Sequence, residues 1–84
     1  MSAGTEAFLA MLAAERGAAL NTLAAYRRDL AQAEEAIGDL AEASRDAVAS
    51  LAGEWASLAP ASVARKASAL RQFFGFALDE GWRS

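Results

Sequence analysis

Two short stretches of the sequence hold side chains suited to gripping an anion. Arg27 and Arg28 lie in Asn21-Thr22-Leu23-Ala24-Ala25-Tyr26-Arg27-Arg28-Asp29-Leu30, and Arg65, Lys66 and Arg71 lie in Ala61-Ser62-Val63-Ala64-Arg65-Lys66-Ala67-Ser68-Ala69-Leu70-Arg71-Gln72-Phe73-Phe74. A guanidinium is planar, forked and permanently charged, so it takes a phosphate in bidentate fashion, while an ammonium acts as a point charge. Thr22, Ser62 and Ser68 add short hydroxyl donors of the kind that contact phosphate oxygens or base edges. Helix starts at Thr22 and Ala61 would add free backbone N–H groups to the same surface. The chemistry offered is recognition of a phosphate backbone, although many helical bundles carry a few arginines and the pattern alone is weakly specific.

Composition removes most other chemistry. The chain has neither histidine nor cysteine, so Ser–His and Cys–His nucleophiles, thiolate metal sites and disulfides are excluded. No Walker-type loop or GxGxxG is present, and no cofactor, metal or catalytic residue is expected. Glu34 and Glu35 are adjacent, but helix neighbours point roughly 100° apart and cannot address one substrate atom; they read as a solvated face. No signal-like N-terminus and no apolar run of membrane-spanning length is seen, which predicts a soluble, cytoplasmic protein without a membrane partner.

A net charge of −3 speaks against nucleic acid. The distribution speaks for it. From Arg16 to Arg28, and again from Pro60 to Leu78, every charge is positive, while Asp29 to Asp46 carries six acids against Arg45 alone. Two basic islands flank an acidic middle.

The elements that must hold the cations read as helices. At 84 residues the chain suits one domain, and its alanine-rich composition favours helix while filling little volume. The first helix is predicted from Thr5, as a cap, to a stop at Gly17, with Phe8 and Leu12 read as core. Asn21 is predicted to cap a second helix from Thr22 to Ile37, with Leu23, Tyr26, Leu30, Ala33 and Ile37 on one face, Arg28 opposite and Arg27 between. Gly38-Asp39 reads as a turn, with Leu40 and Ala41 bridging onward.

A third helix starts after Ser44, with Val48, Leu51, Trp55 and Leu58 at helical spacing; Trp55 reads as a core or rim anchor. Gly53 weakens that helix by roughly 1 kcal/mol relative to alanine. The fourth starts at Pro60, a residue favoured at the first helical position, and runs to about Asp79 before Gly81. Its seam is predicted as Val63, Ala67, Leu70, Phe74 and Ala77, flanked by Phe73 and Leu78. Arg65, Ser68 and Gln72 then lie opposite, Arg71 on a shoulder, and Lys66 near the seam with its stem reaching out. Gly75 reads equally as a site of close helix approach or as a tolerated defect. Trp82-Arg83-Ser84 are predicted to follow the stop without a new element. The whole is all-α: a compact bundle of four, or at most five, helices.

Taken together, Phe8-Leu9 to Glu15-Arg16-Gly17, the Asn21–Leu30 string, the Ala61–Phe74 string and Glu80-Gly81 resemble the N-terminal, SAM-like core-binding domain of tyrosine recombinases of the phage-integrase type, nearest the bacterial XerC/XerD group. The likeness runs nearly end to end and is weakest in the third helix. It implies half of a C-shaped clamp on double-stranded DNA, with two helices addressing the major groove. The catalytic half, with its nucleophilic tyrosine, would be a separate C-terminal domain outside residues 1–84. By position, Thr22, Tyr26, Arg27 and Arg28 would face DNA from the second helix, and Ser62, Arg65, Lys66, Ser68 and Arg71 from the fourth. Tyr26 suits the seam by its ring, with its hydroxyl within reach of a phosphate. Other recombinase protomers in a synaptic complex would be partners, the isolated domain being monomeric. The parent would cut and rejoin DNA, in chromosome dimer resolution or DNA integration. The rival reading is a helical bundle that binds a partner protein through its apolar seams.

Overall fold

In a computed structural model, which describes residues 1–83, the chain folds as α1 (Ala3–Glu15), α2 (Leu20–Ile37), α3 (Arg45–Glu54) and α4 (Pro60–Asp79). There is no strand among the described residues. Ser84 lies outside them.

The stops follow backbone chemistry. Gly17, Gly38 and Gly81 have φ of 59°, 84° and 78°, a region that costs a Cβ-bearing residue strain, and each ends a helix. Pro60 opens α4, and the Ser44 hydroxyl accepts from the Ala47 N–H at 3.0 Å to open α3. Two starts differ from the sequence expectation. Ser2, not Thr5, caps α1, accepting from the Thr5 N–H at 3.3 Å, and Thr5 is fully buried. Asn21 lies inside α2, whose cap position is Ala19 without a side-chain bond.

The core is built from Phe8 and Leu12 of α1, Leu30 and Ala33 of α2, Leu51 of α3, and Ala69, Leu70, Phe73 and Ala77 of α4, with Leu40 plugged in from the α2–α3 loop. Phe8 and Phe73 meet edge to face at 5.7 Å, a favoured aromatic geometry. The seam of α4 is therefore turned by one position from the expected one. Phe73 is fully buried, Phe74 is only partly so, and Leu78 is 54% exposed. Leu58 also lies outside the core, 40% exposed beyond the end of α3. Gly75 faces open space and accommodates no neighbouring helix. The glycine under a close contact is Gly4, where an added Cβ would stand 3.1 Å from the Trp82 ring.

Trp82 and Arg83 are integral to the fold. Trp82 stacks edge-on to Phe76 at 5.3 Å. Arg83 donates from Nη1 to the carbonyls of Leu40, Ala41 and Ala43 at 3.2, 3.3 and 2.7 Å, and its guanidinium lies 4.8 Å over the Phe74 ring. A charged fork thus closes the α2–α3 loop, whose carbonyls have no helix to satisfy them. Glu34 does the same at the other side of that loop. It accepts from the Ser2 N–H and hydroxyl at 2.9 and 2.7 Å and from the Leu40 N–H at 3.0 Å. Glu34 is thus a half-buried clasp rather than part of a solvated face, while Glu35 remains exposed.

Candidate nucleic-acid interface

The α2–α4 contact is the most extensive between any two helices, and it is stitched by polar side chains rather than apolar ones alone. The Asp29 carboxylate is buried. It accepts from Arg65 Nε at 2.8 Å and Arg65 Nη2 at 3.0 Å, and from Lys66 Nζ at 3.0 Å. Lys66 also donates to the Gln32 side-chain oxygen at 2.8 Å. Burial pushes the Asp29 carboxyl up, but hydrogen bonds from Arg65 and Lys66 and their charges outweigh it and hold the group below its ordinary value. One carboxylate between two cations leaves the cluster net positive.

One and two turns further along α4, the Tyr26 hydroxyl meets Ser68 Oγ at 3.2 Å and accepts from Gln72 Nε2 at 3.0 Å, and Gln72 also donates to Ser68. From Tyr26 to Asp29 and Gln32 along α2, the partners step back along α4 from Ser68 and Gln72 to Arg65 and Lys66. The two helices are antiparallel.

That pairing locates the remaining cations. Arg28 precedes Gln32 by four residues and Arg71 follows Ser68 by three, so each stands on the same strip of its helix as a residue at the seam. Both are exposed and neither has an ion-pair partner among the described residues. Arg28 and Arg71 therefore flank one outward face, with the tip of Arg65, 38% exposed, between them. Glu35 closes the basic stretch, two turns beyond Arg28.

Not every expected residue gathers there. Arg27 is turned toward α1, where it pairs with Glu6 at 2.7 Å. The ammonium of Lys66 does not reach outward: the residue is buried and its head is held by Asp29 and Gln32. Thr22, exposed, and Ser62, half-buried, start α2 and α4, so antiparallel packing sets them and the two helix N-termini at opposite ends of the seam. Sequence reasoning overlooked Gln32 and the role of Asp29. Asp29 follows Tyr26 by three and precedes Ala33 by four, and Lys66 precedes Leu70 by four. Opposite charges at seam spacing on two helices were the available signal.

The acids lie mainly elsewhere. Asp39, Glu42 and Asp46 follow the α2–α3 loop into α3. Glu15, Asp79 and Glu80 line an open pocket with Met11, Arg16 and Phe76. Among the described residues no group of carboxylates is placed to hold a metal ion, and no helix is long and apolar enough to cross a membrane.

Comparison with known proteins agrees with this architecture. Residues 5–81 match the family model for the phage integrase N-terminal SAM-like domain. The chain belongs to that family. It is 70% identical to a tyrosine recombinase XerC of Erythrobacter litoralis over 98% of this chain and 27% of the relative. It is also 48% identical to a tyrosine recombinase XerD of Brucella abortus and 42% identical to one of Caulobacter vibrioides, over 98% of this chain and 28% and 29% of those proteins. The chain thus spans under a third of the length of these relatives. No solved structure matches it. For a phage integrase N-terminal SAM-like domain, the all-α bundle of four helices is the expected architecture.

Proposed function

We propose that this SAM-like domain grips double-stranded DNA for a site-specific tyrosine recombinase, holding a half-site while a further domain cuts and rejoins the strands. The observation that carries this reading is the shared outward face of α2 and α4, flanked by Arg28 and Arg71 and floored by a net-positive Asp29–Arg65–Lys66 cluster. Flanking arginines on a rigid helix pair suit phosphates on either side of a groove, and they set register without reading sequence. The names of the relatives support recombination as the parent activity. Chromosome dimer resolution and DNA integration are the processes such a parent would serve, and neighbouring protomers in a synapse would be its other partners.

Titration of the isotopically labelled chain with a short duplex tests the reading. Backbone amides around Arg28, Ser68, Arg71 and Gln72 should shift, and those around Met11 and Glu15 should not. Shifts centred on the acidic pocket, or none at all, would refute it.

A further inference from the structure

We propose that Arg65 reads a guanine, and that Asp29 is the positioning residue that aims it. The inference rests on the duplex-binding reading above. A guanidinium has two donor edges able to bind in bidentate fashion: the side edge, Nε with one Nη, and the end edge, Nη1 with Nη2. Asp29 occupies the side edge, through Nε to Oδ2 at 2.8 Å and Nη2 to Oδ1 at 3.0 Å. The end edge keeps two parallel N–H donors and has no hydrogen-bond partner among the described residues. The side chain remains 38% exposed, against 2% for Asp29.

Two parallel donors match the O6 and N7 acceptors that guanine presents in the major groove, the commonest specific contact of arginine with a base. Fixing the fork beforehand removes the rotamer entropy that a free arginine loses on binding. Asp29 does not cancel the arginine in doing so, because Lys66 supplies a second cation to the same carboxylate at 3.0 Å, with Gln32 anchoring Lys66 in turn at 2.8 Å. Arg28 and Arg71 are exposed and lack such a brace among the described residues, which suits them to phosphates rather than to a base edge. The face therefore divides into braced reader and unbraced clamps.

The test is selection of bound duplexes from a randomised pool by the 84-residue chain, followed by sequencing. The proteins are the wild type, Arg65→Lys, Asp29→Asn and Arg71→Ala, each assayed below its melting midpoint. Arg65→Lys keeps the charge and a bond to Asp29, so the fold survives, but it lacks the fork. The wild type should enrich guanine at one position, and Arg65→Lys should lose that preference by about tenfold or more while binding the unselected pool within about twofold. Asp29→Asn should blunt the same preference with Arg65 still present. Arg71→Ala should weaken binding to all sequences alike. Wild-type binding without a guanine preference, or an Arg65→Lys chain with the preference intact, overturns the inference and leaves the duplex-binding reading standing. A wild-type chain that enriches nothing because it binds no duplex overturns both.

Discussion

Asp29 on α2 and Arg65 on α4 meet side-on through two hydrogen bonds, of 2.8 and 3.0 Å. Thirty-six residues separate them in sequence, and the pair fixes both the packing of the two helices and the direction in which the arginine points. The same carboxylate holds Lys66 inside the bundle. Structure and recognition thus share one group, and the consequences can be measured separately.

Acid should unfold the chain through its two clasping carboxylates. Asp29 and Glu34 both have folded pKa values below the ordinary 3.8 and 4.5. For Glu34, burial pushes the value up, but hydrogen bonds from the Ser2 and Leu40 backbone and from the Ser2 and Thr5 hydroxyls outweigh it. A depressed carboxylate contributes stability that is present in full above its unfolded pKa and is lost as pH falls through the folded one. Urea midpoints should therefore be flat from pH 7 to about 5 and fall steadily below about 4.5. Glu34→Gln should lower the midpoint at pH 7 and make the acid decline shallower; an unchanged pH profile would remove Glu34 from the clasp.

The adjacent rings Phe73 and Phe74 should differ sharply in weight. Phe73 is fully buried against Phe8, so Phe73→Ala should cost about 3–5 kcal/mol in chemical denaturation. Phe74 is only partly buried, and Phe74→Ala should cost distinctly less. The reverse ranking would mean that α4 is rotated.

Arg83→Ala should destabilise the α2–α3 loop from a distance. The substitution strands the carbonyls of Ala41 and Ala43, leaves that of Leu40 with only the Ala43 N–H at 3.4 Å, and removes the cation from the face of Phe74. A loss of about 1–3 kcal/mol is expected, with amide hydrogen exchange accelerating first between Gly38 and Ser44. Uniform acceleration across all four helices would argue against a local brace.

Gly75→Ala should stabilise. The residue sits within α4 with nothing inside 4 Å of an added Cβ, and the substitution gains about 1 kcal/mol of helix propensity. A lower melting point would reveal a close approach that the helix packing does not show.

Much of the fold was legible because its punctuation is local. Gly17, Gly38 and Gly81, Pro60 and the Ser44 cap each act through their own backbone, and each marked its boundary. The rotation of α4 was not legible. Alanine covers so much of that helix that Val63-Ala67-Leu70-Phe74 and Lys66-Ala69-Leu70-Phe73 are both coherent stripes, and the second is the one turned inward, with Phe73 packed on Phe8 and Lys66 received by Asp29 from across the bundle. Arg83 was unreadable for a similar reason: its partners are carbonyls some forty residues away, and carbonyls have no sequence signature. Among the site residues, position on a helix was legible and occupancy was not. Arg27 and Arg28 are neighbours of equal chemistry, yet Glu6 engages only the first.

Whether the α2–α4 face grips a phosphate backbone is tested most directly by the salt dependence of duplex binding, measured for the wild-type chain and for Arg28→Ala/Arg71→Ala. Each phosphate neutralised contributes about 0.9 to the slope of log K against log salt. The double variant should bind more weakly with a slope shallower by about 1.8, at an unchanged melting temperature. A slope identical to that of the wild type would show that these two arginines contact no phosphate, and would contradict the proposed face.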